Sequence, residues 1–155
     1  MSFHPASISP DIDLRDYLSE RISVSDDGNT TKYVTVYGDW ERPTNKLPSD
    51  FITIYLNGDI SGVGMDTPFA KGFIIVSLYC KLNDDGSVKK NRIAKILEQF
   101  DTLVDKCATG NYYYEYDAEQ FITPTTPNQS TGYSVTSLNL RWNTTSNFIK
   151  PKTTI

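Results

Sequence analysis

Histidine is nearly missing from this chain of 155 residues: His4 is the only one. A Ser–His or Cys–His pair needs an imidazole held beside its nucleophile, and His4 stands in a leader, residues 1–9, expected to be mobile. Cysteine is scarce as well. Cys80 and Cys107 match no metal or redox spacing, and both read as buried thiols of a reducing compartment. Dense basic clusters are missing too. With 15 Lys and Arg against 19 Asp and Glu, the net charge is −4, whereas gripping phosphates requires clustered cations that displace counterions. No apolar run is long enough to span a bilayer and no secretion signal is visible, so no membrane association is expected.

The remaining chemical motifs are equally thin. "SDDGN" and "NDDG" lack calcium-loop spacing and are explained as turns. "GVGM" lacks the full spacing and the lysine-plus-hydroxyl ending of a phosphate cradle. Glu115 and Asp117 form a carboxylate pair for which the sequence supplies no partner, so a hydrolase using them is a remote reading. No catalytic, metal or cofactor-binding residue is therefore assigned, no cofactor is expected, and the chain is read as a non-enzyme.

What the sequence does hold is tyrosine, ten in all, within an aromatic share of 12% and a hydrophobic share of 38%. Four fall in "GNYYYEYD". As a strand, this stretch sets Tyr112, Tyr114 and Tyr116 on one face and Tyr113, Glu115 and Asp117 on the other. Burying one phenol ring removes about 150–250 Å² from water, so the three-ring face belongs in a sheet–helix core. A packed subunit surface, or a platform for stacking a sugar or base, is the alternative use.

"SPDIDLRDYLSERIS" predicts a helix with Pro10 in its first turn, Asp11 and Asp13 at its positive end, and Leu14, Leu18 and Ile22 on one face. "TKYVTVY" predicts one strand, and "DFITIYLN" a strand whose apolar face is Ile52, Ile54 and Leu56. A long glycine-rich loop is expected over 57–72, and loops of that length tend to be functional. The nearly continuous apolar run "GFIIVSLYCKL" predicts a central strand covered on both faces. The longest helix is expected over about 88–107, with a stripe of Ile93, Ile96, Leu97, Phe100, Leu103, Val104 and Cys107. Lys89, Lys90 and Arg92 crowd its start, where the macrodipole favours negative charge. They form a solvated face or a basic patch meeting an acidic neighbouring subunit. "NYYYEYD" and "GYSVTSLNLRWN" close the sheet, separated by the loop "AEQFITPTTPNQST". The fold class is α+β: a largely antiparallel β-sheet with one long and one shorter helix packed on it, and long loops. One domain spans 10–142, with a C-terminal arm or tail at 143–155.

The order of these elements resembles the tail-terminator (tail-completion) family of long-tailed bacteriophages and the related head–tail joining proteins. It is carried by "DIDLRDYLSERI", "YVTVY", "PSDFITIYLNGD", the glycine-rich loop, "GFIIVSLYCKL", "RIAKILEQFDTLV", "NYYYEYD" and "TGYSVTSLNLRW", patterns of polarity spanning about residues 10–142. The resemblance implies a non-enzymatic virion protein assembled in the host bacterial cytoplasm. It would form a ring, of six subunits, on the end of the tail tube, stop tube polymerisation and present a surface to the head connector. Its partners would be itself, the tail tube protein and the head connector or neck proteins, with DNA passing through without tight binding. The contact surfaces expected are the 57–72 loop with Asp59, Met65 and Phe69, the loops around Trp40 and Phe121, and Lys89, Lys90 and Arg92. Another neck, connector or head-completion role is the alternative within this class. A carbohydrate- or ligand-binding module using exposed tyrosines is the alternative outside it.

Overall fold

The computed structural model describes residues 10–25, 28–39, 41, 47–61, 71–109 and 112–144, excepting the side chains of 58–61. Helix α1 is Pro10–Leu18, followed by strands β1 (Ser23–Ser25), β2 (Thr31–Tyr33), β3 (Thr35–Tyr37), β4 (Asp50–Ser61) and β5 (Lys71–Lys81). Helices α2 (Lys90–Glu98) and α3 (Phe100–Val104) come next, then β6 (Cys107–Ala108), β7 (Tyr112–Tyr116), β8 (Ile122–Asn128) and β9 (Tyr133–Thr144). The class is α+β. Seven strands form the main sheet in the order β3-β4-β5-β9-β7-β6, with β8 also paired to β9. All its pairings are antiparallel except β3 with β4.

The long strands β4, β5 and β9 set alternate residues on opposite faces. One face presents Ile52, Ile54, Ile74, Val76, Leu78, Leu138, Leu140 and Trp142, all buried in one core with Leu14 and Leu18 of α1 and Ile93, Ile96, Phe100 and Val104 of α2 and α3. Tyr112 and Tyr114 join that core and Tyr116 packs against it, so the tyrosine ladder is architecture. The Tyr114 hydroxyl lies 3.0 Å from the Pro10 carbonyl and 2.8 Å from Asp13 Oδ2, tying β7 to the first turn of α1. Thr109 Oγ1 donates to the same Asp13 oxygen at 2.7 Å. The acidic first turn of α1 thus serves tertiary bonds as well as the helix dipole. Asp11, likewise buried, accepts from Asp39 N at 3.2 Å, and burial raises its pKa.

Several expected elements differ. "TKYVTVY" is two strands, because β2 pairs with β1 while β3 runs parallel to β4; Val34 N still donates to Ile22 O at 2.8 Å, on the hairpin side of the break. The expected 88–107 helix is two segments meeting at Gln99, whose side chain bonds Ser23 of β1 through both its oxygen (2.9 Å) and its nitrogen (2.8 Å). The helical stripe ends at Val104, since Lys106 adopts a left-handed φ of 55°. Cys107 therefore lies in β6 and is only half-buried, while Cys80 is fully buried as expected. The segment expected as the loop "AEQFITPTTPNQST" contains β8. Its Pro124 and Pro127 fit an edge strand, where missing N–H donors are tolerated. Within the expected 57–72 loop, residues 57–61 continue β4, and Lys71 and Gly72 begin β5. β9 runs to Thr144, two residues into the expected C-terminal arm.

Gly72 has a packing role. It pairs with Trp142 across the β5–β9 ladder, and a Cβ there would sit 2.9 Å from the indole nitrogen and 3.1 Å from the adjoining ring carbons. Gly72→Ala should therefore destabilise the fold by roughly 1–3 kcal/mol through overpacking, read as a lower urea midpoint with unchanged m-value. Alkaline pH should also destabilise it. Burial, with the Asp13 carboxylate beside it, raises the Tyr114 pKa far above the ordinary phenol value, and burial pushes the Cys80 thiol up to about 12. Both pKa values are higher folded than unfolded, so these neutral groups hold their full stability below the unfolded values. As pH rises from about 9, the unfolded state sheds protons that the native state retains, and stability falls by about 1.4 kcal/mol per pH unit for each such group. Urea titrations from pH 8 upward check this, and Tyr114→Phe should remove one group's share of the slope above pH about 10.

Candidate interaction surfaces

The second face of the sheet is not packed by the helices. Across β4, β5 and β9 its register rows are Phe51–Tyr79–Val135, Thr53–Ser77–Ser137, Tyr55–Ile75–Asn139 and Asn57–Phe73–Arg141. Near one end, rings cover one another. Phe51 stacks on Tyr79 with centroids 4.6 Å apart and meets Tyr37 and Tyr133 edge-on, which leaves Phe51 only 6% exposed. The Tyr133 hydroxyl donates to the Pro48 carbonyl at 2.7 Å, pinning the chain ahead of β4 over this end. In the middle the Ser77 and Ser137 hydroxyls bond at 2.9 Å. Toward the other end Tyr55 is 53% and Phe73 45% exposed, with the Arg141 guanidinium 5.8 Å from the Phe73 ring centre. Charges stay at the ends of the face: Lys81 at one, and Lys71, Arg141 and Glu115 at the other. β5 is central, as expected, but only its Ile74, Val76, Leu78 and Cys80 parity is buried.

A second feature lies where β7 gives way to β8. Phe121 is 50% exposed and its ring sits 5.3 Å from that of Tyr116. The Phe121 carbonyl accepts from Asn139 N at 2.8 Å, so its backbone is fixed against β9. Carboxylates surround the pair. Asp101 accepts from the Tyr116 hydroxyl at 2.6 Å and Asp105 from Tyr116 N at 3.1 Å; burial and Asp101 together raise the Tyr116 pKa. Glu115 faces Arg141 across the ladder, and Asp117 Oδ1 is 3.6 Å from Arg141 Nη2. Arg141 is thus the partner that the sequence did not supply for this carboxylate pair. Tyr113, on the outer face, is half-buried.

The start of α2 separates the three cations expected to act together. Arg92 is engaged internally: its Nε lies 2.9 Å from Asp50 Oδ1 and its Nη2 2.5 Å from Asp50 Oδ2, with the Asp50 side chain 3% exposed. It joins α2 to the first residue of β4. Lys89 and Lys90 line a shallow cleft of about 700 Å³ together with Asn83, Val88, Asn91 and Arg92.

Of the expected contact residues, Phe121, Lys89 and Lys90 lie at the described surface, and Arg92 is a structural ion-pair residue. Asp59 falls within β4, its side chain outside the described residues; Trp40, Met65 and Phe69 lie outside the described residues altogether. Sequence reasoning missed Tyr55 and Phe73. For Tyr55 the available signal is its parity opposite Ile52, Ile54 and Leu56; Phe73 lies in the apolar run "GFIIVSLYCKL", which carries no such signal. Among the described residues no group of three or more His, Cys, Asp and Glu is placed to hold a metal ion, and no helix is long and apolar enough to cross a membrane. No family model matches the chain, and no curated protein matches it.

The Arg92 assignment predicts unequal effects along α2. Arg92→Met should cost about 3–5 kcal/mol, because it strands a buried carboxylate. Lys90→Met should change stability by less than about 0.5 kcal/mol, as surface substitutions do. Asp50→Asn combined with Arg92→Met should recover much of the loss, and urea unfolding of the three variants checks it.

Proposed function

We propose that this chain is a virion structural protein of a long-tailed bacteriophage: a ring on the end of the tail tube that ends tube polymerisation and offers the docking surface for the head connector. The observation that supports this best is the sheet face opposite the helices, with Tyr55 and Phe73 exposed and no charge on the rows between its ends. Interfaces deplete charge at their centres, enrich aromatics there, and place polar groups at the rim. A contiguous exposed aromatic surface marks an interaction site.

The partners in this reading are other copies of the chain, the tail tube protein and the neck proteins. A ring requires each subunit to present two different patches, one for each neighbour. Within one chain the uncovered sheet face, the aromatic edge at Phe121 and the lysine-lined cleft of α2 are separate surfaces of the kind a multi-partner assembly needs. The net charge of −4 suits a collar through which DNA slides without being held. No bond is made or broken; the function is geometric.

Light scattering and negative-stain electron microscopy of the purified protein, alone and mixed with tail tubes, test this reading. The expected result is a ring-shaped oligomer seated on one end of each tube. A particle that stays monomeric in both conditions would overturn it.

A further inference from the structure

We infer that neighbouring copies of this chain dock head to tail, the acidic edge around Phe121 of one copy entering the lysine-lined cleft at the start of α2 of the next. This rests on the self-association proposed above and assigns its two surfaces.

The acidic side is built on a fixed support. Phe121 is held by its carbonyl bond to β9 and by its contact with Tyr116, yet half of it remains open to solvent. Asp101 and Asp105 bond Tyr116, and Asp117 and Glu119 lie on the chain that leads into Phe121, while Glu115 stands on the other face of β7 across from Arg141; the nearest described cations are Arg141, already beside Asp117, and Lys106. Glu115 and Glu119 form no ion pair among the described residues. The edge is therefore an apolar ring within a net negative rim.

The receiving side has the opposite character. The shallow cleft is lined by the half-buried Val88 together with Lys89, Lys90, Asn83, Asn91 and Arg92. Arg92 is neutralised by Asp50, so Lys89 and Lys90 are the cations of the cleft lining, and Asp84 and Asp85 stand in the loop just upstream. Asp85, just upstream, is turned into its own loop, accepting from Ser87 N at 2.9 Å and Ser87 Oγ at 2.5 Å. Neither lysine has an ion-pair partner among the described residues. An apolar side chain beside cations complements a phenyl ring beside carboxylates.

The placement of the two surfaces decides the symmetry. Phe121 immediately precedes β8, and the turn after β8 touches the loop leading to α2, where Gln129 Nε2 donates to Gly86 O at 3.1 Å. Seven residues of strand at about 3.4 Å each place the two surfaces roughly 20–25 Å apart. Patches so separated, and unlike each other, suit a heterologous contact repeated copy after copy; a discrete two-fold dimer by sedimentation in place of a larger oligomer would overturn the head-to-tail arrangement.

The test uses charge reversal in the full chain. Lys89→Glu with Lys90→Glu should weaken self-association by at least about tenfold, since like charges then face each other, and so should Asp117→Lys with Glu119→Lys. Sedimentation velocity reads both, and added salt should weaken the wild-type assembly, the charges being screened beyond about 10 Å at 0.1 M. Mixing the two variants one to one should restore assembly, because each interface in the mixture is then either the original or its mirror in charge. Lys32→Glu with Lys95→Glu, an equal charge change outside both surfaces, should leave association intact, and unchanged urea midpoints exclude misfolding. If the wild type assembles and the Lys89/Lys90 variant assembles equally well, this contact is wrong while the ring reading stands. If the wild type remains monomeric with tail tubes present, both fall.

Discussion

Residues alternate sides along a β-strand, so the three long strands β4, β5 and β9 generate two surfaces of similar extent. The helices of this chain pack against one of them. Everything else in the structure adjusts to that inequality. The packed face takes the aliphatic parity of each strand together with Tyr112, Tyr114 and Trp142, and it is dense enough that Gly72 must lack a side chain. The other face manages its exposure in two ways: by stacking aromatic rings on one another at the Phe51 end, and by hydroxyl pairs in the middle. Only toward Tyr55 and Phe73 does apolar area stay open. A surface that could have been made polar throughout, but is instead aromatic and nearly free of charge between its ends, is more economically explained by contact than by solvation.

Polar bonds then fix the helices over the packed face, each with its own anchor. Asp13 receives Tyr114 and Thr109 at the front of α1, and the Arg15 guanidinium and the Gly38 N–H reach Glu41 at its flank. Burial works against the charge of Glu41, yet those two donors hold its pKa below the ordinary carboxylate value. Arg92 and Asp50 join α2 to β4, and Gln99 pairs with the backbone of Ser23 where α2 meets α3. Such buried or half-buried links add little net stability over an apolar replacement, but breaking one partner is costly. They set where each helix sits, and so which residues of α2 are left to face outward.

How much of this the sequence revealed follows from the range of each interaction. Local periodicity was enough for the helical stripe of Ile93, Ile96, Phe100 and Val104, for the alternation in β4, and for the burial of Tyr112 and Tyr114. Features set by distant partners were hidden. The Asp50–Arg92 pair spans 42 positions, and the division of "TKYVTVY" arises because β1 and β4 compete for its two halves. β8 was masked by its prolines and threonines, which argue against a central strand but are acceptable at an edge. Cys107 was extrapolated from a stripe that the left-handed turn at Lys106 cuts off. For the surfaces, Phe121, Lys89 and Lys90 were readable as exposed residues. Tyr55 was equally readable, from the alternation of "DFITIYLN", whereas Phe73 was not, because a continuous apolar run reads the same whether its second face is covered or left open.

The distribution of charge connects these observations to assembly. A net charge of −4 spread evenly would make copies of this chain repel one another weakly on every side. Here the carboxylates gather around Phe121, while Arg92 is consumed internally and Lys89 and Lys90 are left at the cleft. Placing unlike charges roughly one strand length apart turns overall repulsion into an orientation preference: edge to edge and cleft to cleft are opposed, and edge to cleft is favoured. Exposed ion pairs contribute little affinity individually, so in the proposed contact the apolar groups would supply the binding energy and the charges its direction. That division would suit the proposed ring, in which each copy adds in one sense only and the broad sheet face is kept for a different partner.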